Sequence, residues 1–247
     1  YESCILGSIN LNKIVDNGEI NSEKLERLVK IGVKFLNNVI DANKYPLKEI
    51  EKIAKRNRKI GLGVMGFADM LVKLGIPYNS EEAIRTGEEI MKFIKEKAKK
   101  YSKNNKTLTT IAPTGSISLI ADCSSGIEPL FAIAYIKEVL GGTSLLIINK
   151  EFEKIARKRG FYSKKLMNKI AKKGSLNGIK EIPKDVRMLF ATALDIKPEW
   201  HLKIQAAFQK YTDNAVSKTI NLPNKTTVDD VRKIYLMAYK LKCKGIT

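Results

Sequence analysis

The stretch best equipped for chemistry is also the least charged part of a very basic chain. It runs Leu-Thr-Thr-Ile-Ala-Pro-Thr-Gly-Ser-Ile-Ser-Leu-Ile-Ala-Asp-Cys-Ser-Ser-Gly-Ile-Glu-Pro from Leu108 to Pro129. No Lys or Arg lies between Thr107 and Pro129, and Asp122 and Glu128 are its only acids. A β-type run, 108–112, leads into Pro113, Thr114, Gly115 and Ser116, and an apolar run follows from Ile117. That order predicts a strand, a tight turn and the start of a helix. A turn containing Gly lets backbone N–H groups converge, and a helix start adds partial positive charge, so an anion can dock there. The same spacing also describes an ordinary βα loop with a Ser/Thr cap, and the residues alone leave both readings open.

Other candidates are weaker. Gly61-Leu62-Gly63-Val64-Met65-Gly66 matches G-x-G-x-x-G, and Glu81 follows about twenty residues on, as in dinucleotide sites. The preceding segment, 49–59, is a charged helix and not an apolar strand, so the context is wrong. A glycine-rich strand or turn packed on a helix from Phe67 to Leu74 is the simpler expectation. Cys4, Cys123 and Cys243 have no paired spacing, which argues against a disulfide scaffold and against a CxxC zinc site. A single His, His201, excludes a His-based metal centre.

These residues sit in a chain of 247 residues, 44% hydrophobic and 29% charged, enough for one large domain or two small ones. The formal charge is +19. It fits a nucleic-acid binder, a Lys-rich surface of the heat-adapted kind, or a chain whose acidic balance lies elsewhere in a longer protein. The lysines spread along helix faces without aromatic interleaving, which weakens the first. No apolar run reaches membrane-spanning length and no signal peptide opens the chain, so a cytoplasmic location is expected. The sequence starts at Tyr1 without Met and stops at Gly245-Ile246-Thr247 as a strand would begin, so both ends read as cut.

Positioning elements follow from pattern. Residues 3–11 read as a buried strand, with Gly7 and Ser8 small where another backbone or a ligand comes close. Asn21 and Ser80 start long helices to about Asp41 and Tyr101, and Pro46 opens a third over 47–59. Residues 133–148 predict a hairpin about Gly141-Gly142. Basic helices follow at 150–160 and 163–173, then helices at 183–192, from Pro198 to about Tyr211, and at 228–243 after Thr227. Residues 215–222 alternate like a strand ending at Pro223. Strands separated by helices predict an α/β fold with at least partly parallel strands.

Taken together, several runs resemble the large catalytic chain of ribonucleotide reductases, most closely its adenosylcobalamin-dependent (class II) branch. They are Glu2-Ser3-Cys4 with Leu6 to Leu11, Ile60 to Asp69, Ala112 to Ser118, Ser124 to Pro129, Tyr211 to Pro223, and Cys243 to Thr247. One departure is Ile5, where the family commonly has Asn. The resemblance implies that residues 1–247 are the C-terminal part, the second half, of a ten-stranded α/β barrel. It implies reduction of a ribonucleoside di- or triphosphate to the 2′-deoxyribonucleotide by a cysteine thiyl radical. In class II that radical arises by homolysis of the cobalt–carbon bond of adenosylcobalamin, whose contacts are not identified in this chain. The family's radical cysteine matches a position before Tyr1, so this stretch alone is expected to be inactive. Further implied partners are the remainder of the enzyme, a thioredoxin-like reductant and a second copy in a homodimer.

Residue by residue, Cys4 matches the second cysteine of the family's redox pair; without the resemblance it reads as a buried strand cysteine. Pro113, Thr114, Gly115, Ser116 and Ile117 match the loop that receives substrate phosphates, with the Thr114 and Ser116 hydroxyls as ligands and Ser118 as a further one. Glu128 is expected to be structural before it is a ligand, Lys218 a charge partner, and His201 structural. The rival from a different class is a basic nucleotide- or RNA-binding module, whose lysines would converge on one groove away from the loop. A closer rival is a reductase using a separate radical-generating subunit.

Overall fold

The chain enters on β1 (Ile5–Asn10), passes a 3-10 turn at Leu11–Lys13, and forms a short hairpin of β2 (Val15–Asp16) and β3 (Glu19–Ile20). Its two-residue turn is Asn17-Gly18, both at positive φ, which suits Asn and Gly. The computed structural model describes residues 2–139 and 143–247. Helix α1 (Ser22–Ala42) starts where the Asn21 side chain accepts from the Lys24 N–H, and it buries Leu25, Val29, Val33, Leu36 and Ile40 along one face. Each such side chain stabilises the fold by roughly 1.5–3 kcal/mol. Gly32 lets α1 lie directly on Leu62, since a Cβ there would sit 3.0 Å from that side chain.

Helix α2 (Lys48–Asn57) ends at Arg58 in the left-handed region, and the chain returns as β4 (Ile60–Met65). Strand β4 pairs in parallel with β1, Ile5 opposite Ile60 and Asn10 opposite Met65. All six β4 residues are buried, as expected of a strand covered on both faces. So the G-x-G-x-x-G match lies mostly inside a buried strand. Its glycines serve packing: a Cβ on Gly63 would overlap the Thr110 carbonyl, and one on Gly61 would sit 2.6 Å from Leu6. Gly66, at φ +74°, turns the chain into α3 (Phe67–Leu74). The expected glycine-rich strand on a following helix is what forms.

Helix α4 (Glu81–Tyr101) starts from the Ser80 cap and covers the wall's outer side beside α1. Residues 107–111 then run parallel to β4. Leu62 donates to the Leu108 carbonyl at 2.8 Å, and Thr110 donates to the Leu62 carbonyl at 3.2 Å. On the other side Ile111 bonds Ala215, and Ser217 bonds back to Ile111. The order across the wall is therefore β1, β4, 107–111, 214–217, with parallel pairings throughout. Parallel neighbours need long crossovers, and α1 to α4 supply them.

Past the wall lie α5 (Gly115–Ile120) and the antiparallel pair β5 (Ala134–Val139) and β6 (Thr143–Ile148). The predicted Gly141-Gly142 turn falls outside the described residues. Helices α6 (Lys150–Lys158), α7 (Lys164–Lys173) and α8 (Lys184–Leu189) form a basic lobe around Phe152, whose ring meets Phe161 and Phe190 edge-on. Helix α9 (Pro198–Gln209) packs Phe208 against Phe67 at 5.0 Å between ring centres and against Gly87 of α4. Helix α10 (Val228–Lys240) opens with a capping box between Thr227 and Asp230.

One expected element is shorter than its pattern. Residues 215–222 pair with 107–111 only as far as Ser217; beyond it the Thr219 N–H goes to the Glu128 carboxylate, and the Ile220 N–H goes to the Thr247 carbonyl at 2.8 Å. No helix among the described residues is long and apolar enough to cross a membrane.

Candidate functional site

Strand β1 presents alternate residues to opposite faces. Gly7 faces Leu36 of α1, so Cys4, Leu6 and Ser8 belong to the face turned away from the helices. There the 112–117 loop folds back over β1. A cavity of about 250 Å³ lies between them, lined by Leu6, Gly7, Ser8, Ala112, Thr114, Gly115, Ser116 and Ile117. Gly7 and Ser8, singled out as small in the sequence, are thus at a site of close approach; Leu6 and Ala112 are lining residues that the sequence did not single out.

The loop's geometry suits an acceptor-rich ligand. Ser118 N–H bonds the Thr114 carbonyl at 2.9 Å, the first bond of α5. The N–H groups of Gly115, Ser116 and Ile117 have no acceptor among the described residues. Nothing lies within 4 Å of where a Gly115 Cβ would be, so the approach is open. Gly115, Ser116, Ile117 and Pro113 are exposed, whereas Thr114 is buried. Thr114 holds φ +55°, which is uncommon and costly for a β-branched residue. What fixes it is the turn at 124–129: Gly126 N–H donates to Thr114 Oγ1 at 2.7 Å, and Ser125 and Ser118 hydroxyls meet at 2.9 Å. The Thr114 oxygen and the buried Ser118 hydroxyl, which also donates to the Gly115 carbonyl, therefore brace the loop. Ser116 is exposed, and its hydroxyl has no partner among the described residues.

Cys4 lies at the opposite end of the same face, half-buried, as a free thiol. Burial pushes its pKa up, while hydrogen bonds from Thr107 and Asn214 and the Lys59 charge pull the other way. Asn214 Nδ2 lies 3.8 Å from its sulfur. Cys4 is accordingly a protonated thiol at neutral pH. Cys123 is likewise pushed up to about 11, first by burial and then by Asp69 and Asp122, and its Cβ packs near Gly66. The structure does not bring Cys123 into the cavity lining.

Buried Lys218 and His201 come together with the partly exposed Glu128. Lys218 Nζ donates to Glu128 Oε2 at 2.6 Å, to His201 Nδ1 at 2.8 Å and to the Thr219 carbonyl. Three acceptors satisfy the ammonium's three donors, as a buried charge requires. His201 is neutral: burial and then the Lys218 charge lower its pKa to about 4. With Nδ1 accepting, Nε2 carries the proton and donates to the Ala193 carbonyl at 3.1 Å. None of the three lines the cavity. The alternation of 215–222 puts Lys218 on the same face as Val216 and Ile220, both buried; what the sequence did not show is the set of acceptors that its ammonium meets there.

A parallel strand wall backed by helices, with the 112–117 loop folded over one end of its open face and a thiol towards the other, makes one flank of an α/β barrel. Comparison with known proteins gives the same class. The family model described as ribonucleotide reductase, barrel domain, matches residues 1–104 and 92–247, and the chain belongs to that family. It is 47% identical over its whole length to a vitamin B12-dependent ribonucleoside-diphosphate reductase of Thermoplasma acidophilum, covering 35% of that protein. A protein of the same description from Mycobacterium tuberculosis (strain CDC 1551 / Oshkosh) is 45% identical over the whole chain, covering 39% of its length. Among solved structures, the Actinobacillus ureae class Id ribonucleotide reductase alpha subunit superposes with a TM-score of 0.81 at 25% identity, over 98% of this chain and 48% of that one. The chain thus spans a little over a third of these curated relatives.

Proposed function

We propose that these residues are the C-terminal part of a catalytic barrel that reduces ribonucleotides to 2′-deoxyribonucleotides, contributing one redox cysteine and the loop that seats the substrate's phosphates. The observation that carries this reading is the shared face. The N–H groups of Gly115, Ser116 and Ile117, without acceptors among the described residues, border a cavity on the side of the wall that the helices leave uncovered, and the Cys4 thiol lies on that same face towards its other end. Pro113 sets the turn, Thr114 is locked by Gly126, and phosphate oxygens accept from the three amides and the Ser116 hydroxyl.

Cys4 and a second cysteine give up two electrons and two protons as their disulfide forms. The ribose C2′–OH bond breaks, a C2′–H bond replaces it, and the hydroxyl leaves as water. A thiol held protonated by burial suits that task. The substrate is a ribonucleoside di- or triphosphate. Adenosylcobalamin is carried over from the relatives' names, and when bound it supplies the radical. The cavity under the 112–117 loop is small and lined by Gly, Ser, Thr and aliphatic residues, which do not fit a corrin, so no residue here is assigned to that cofactor and no step passes through it. A thioredoxin-like reductant and homodimer formation belong to the same proposal. The rival basic-module reading is not favoured, because the chain belongs to the ribonucleotide reductase barrel family over its whole length.

The test is Cys4→Ser in the full-length protein. Multiple turnovers should fall to background while nucleotide binding, measured by equilibrium dialysis, stays within about threefold. Unchanged steady-state turnover would refute the redox role.

A further inference from the structure

The reading above needs the 113–117 loop to hold one shape, yet Thr114 adopts a backbone that a β-branched residue disfavours. Something must over-determine that shape. The only side-chain hydrogen bond made by Thr114 among the described residues is the one from Gly126, so its conformation depends on where the 124–129 turn stands. That turn is tied along its length; in the middle the Tyr78 hydroxyl donates to the Ile127 carbonyl at 2.7 Å, the Phe67 N–H donates to the Gly126 carbonyl at 3.4 Å, and the Ser125 hydroxyl meets Ser118. At its start, Ser124 N–H donates to Asp69 at 2.5 Å, and the Ser124 carbonyl accepts from Gly66 at 2.7 Å. At its end, both oxygens of Glu128 are taken, Oε2 by Lys218 and Oε1 by the Thr219 N–H at 2.6 Å.

The Lys218 side chain is fully buried, although its solvation would favour exposure. A buried ion pair is a poor source of stability, since an apolar pair of similar volume often does as well. What it does provide is a single position for Glu128. The strand residue Ser217, next to Lys218, also bonds Ile111, which leads into the loop from its other side. Both roots of the loop therefore converge on one anchor.

The geometry points to Lys218 as a positioning residue for phosphate recognition: through Glu128 it holds the 124–129 turn, and through the Gly126–Thr114 bond that turn holds the phosphate-receiving loop. Lys218 does not touch the substrate. This rests on the loop being the phosphate seat, and the test separates the two.

The variants are made in the full-length enzyme and assayed with a ribonucleoside diphosphate and, for binding alone, inorganic pyrophosphate. Lys218→Met leaves Glu128 as an uncompensated charge and risks misfolding, so the deciding variant is Lys218→Met with Glu128→Gln, which leaves no unpaired charge and keeps an acceptor for Thr219. KM and the pyrophosphate Kd should rise about tenfold or more, with kcat at saturation within about threefold. Thr114→Val, which removes the Gly126 acceptor, should raise KM similarly, and combining it with the paired variant should add little, because all act on one path. Thr114→Ser should restore KM. A folded paired variant with KM within about twofold of the parent overturns the positioning role. So does a combined effect equal to the product of the separate ones. Gly115→Asp, which puts a carboxylate in the seat, checks the underlying reading. If it binds pyrophosphate normally, the loop is not the seat; if it abolishes binding while the paired variant binds normally, only the role of Lys218 falls.

Discussion

The strand wall and the basic lobe share one hydrophobic core but are built from opposite chemistry. Between Lys150 and Arg187 the lobe has thirteen Lys and Arg against four Asp and Glu, so nearly half of the chain's net charge sits in a small part of its length. All four acids lie in surface pairs, Glu151 with Lys154, Glu153 with Arg157, Asp185 with Arg159 and Glu181 with Lys169. The wall has few charges, and the chief one, Lys218, is fully enclosed. Its polar work is done by backbone amides, hydroxyls and glycines that let backbones touch. Charge density is thus highest in the lobe, while the wall and the 112–117 loop over it present backbone and hydroxyl groups almost without charge.

The sharpest way to break the contrast is to add one methyl group in each region. Gly63→Ala places a Cβ onto the Thr110 carbonyl, a backbone atom that cannot yield without parting β4 from 107–111. Stability should fall by about 4 kcal/mol or more, in the range reserved for core disruption. Gly174 closes α7 at φ +71° with nothing near its Cβ position. Gly174→Ala should cost only about 1 kcal/mol, the strain of a left-handed alanine. Urea denaturation of both variants checks this, and equal losses would mean the wall packs no more tightly than the lobe.

Much of this architecture was legible because local chemistry decides it. Asn21, Ser80 and Thr227 cap helices where their side chains can reach the first-turn amides, and Gly61, Gly63 and Gly66 mark close approach and a turn. What stayed hidden depends on contacts distant in sequence. Lys218 meets Glu128 ninety residues earlier, a partner that the 215–222 alternation alone does not name. Ser118 could equally have faced a ligand; only its meeting with Ser125 turns it inward. The 107–111 segment is short, but bonds on both flanks make it the middle of the wall.

Acid should single out the wall. The His201 pKa is lowered from 6.5 to about 4 in the folded chain, first by burial and then by Lys218. Between those values the unfolded chain binds the proton and the folded chain does not. Stability therefore rises with pH through this window, is fully present above 6.5, and is lost as pH falls towards 4. At about 1.4 kcal/mol per unit, the loss reaches about 3 kcal/mol. Asp69, whose pKa burial raises, opposes it at the lower end. Thermal melts across this range should show the slope in the parent and a flatter one in His201→Gln. An unchanged slope would move the effect to the carboxylates.

The smallest effect should come from the lobe's best-formed surface pair. Arg159 Nη1 lies 2.5 Å from Asp185 Oδ2, a good distance, but the two side chains are 41% and 65% exposed. Water solvates both ions in the unfolded chain nearly as well, and ordering two long side chains offsets what attraction remains. Arg159→Ala should therefore change stability by no more than about 0.5–1 kcal/mol. Removing one positive charge from so basic a lobe also relieves repulsion from its neighbours, which reduces the loss further. At low salt that relief should be largest, so the variant's deficit should shrink, not grow, as ionic strength is lowered. A deficit that deepens at low salt would mean the pair outweighs the lobe's self-repulsion, and the lobe would then resemble the wall in depending on particular charge partners.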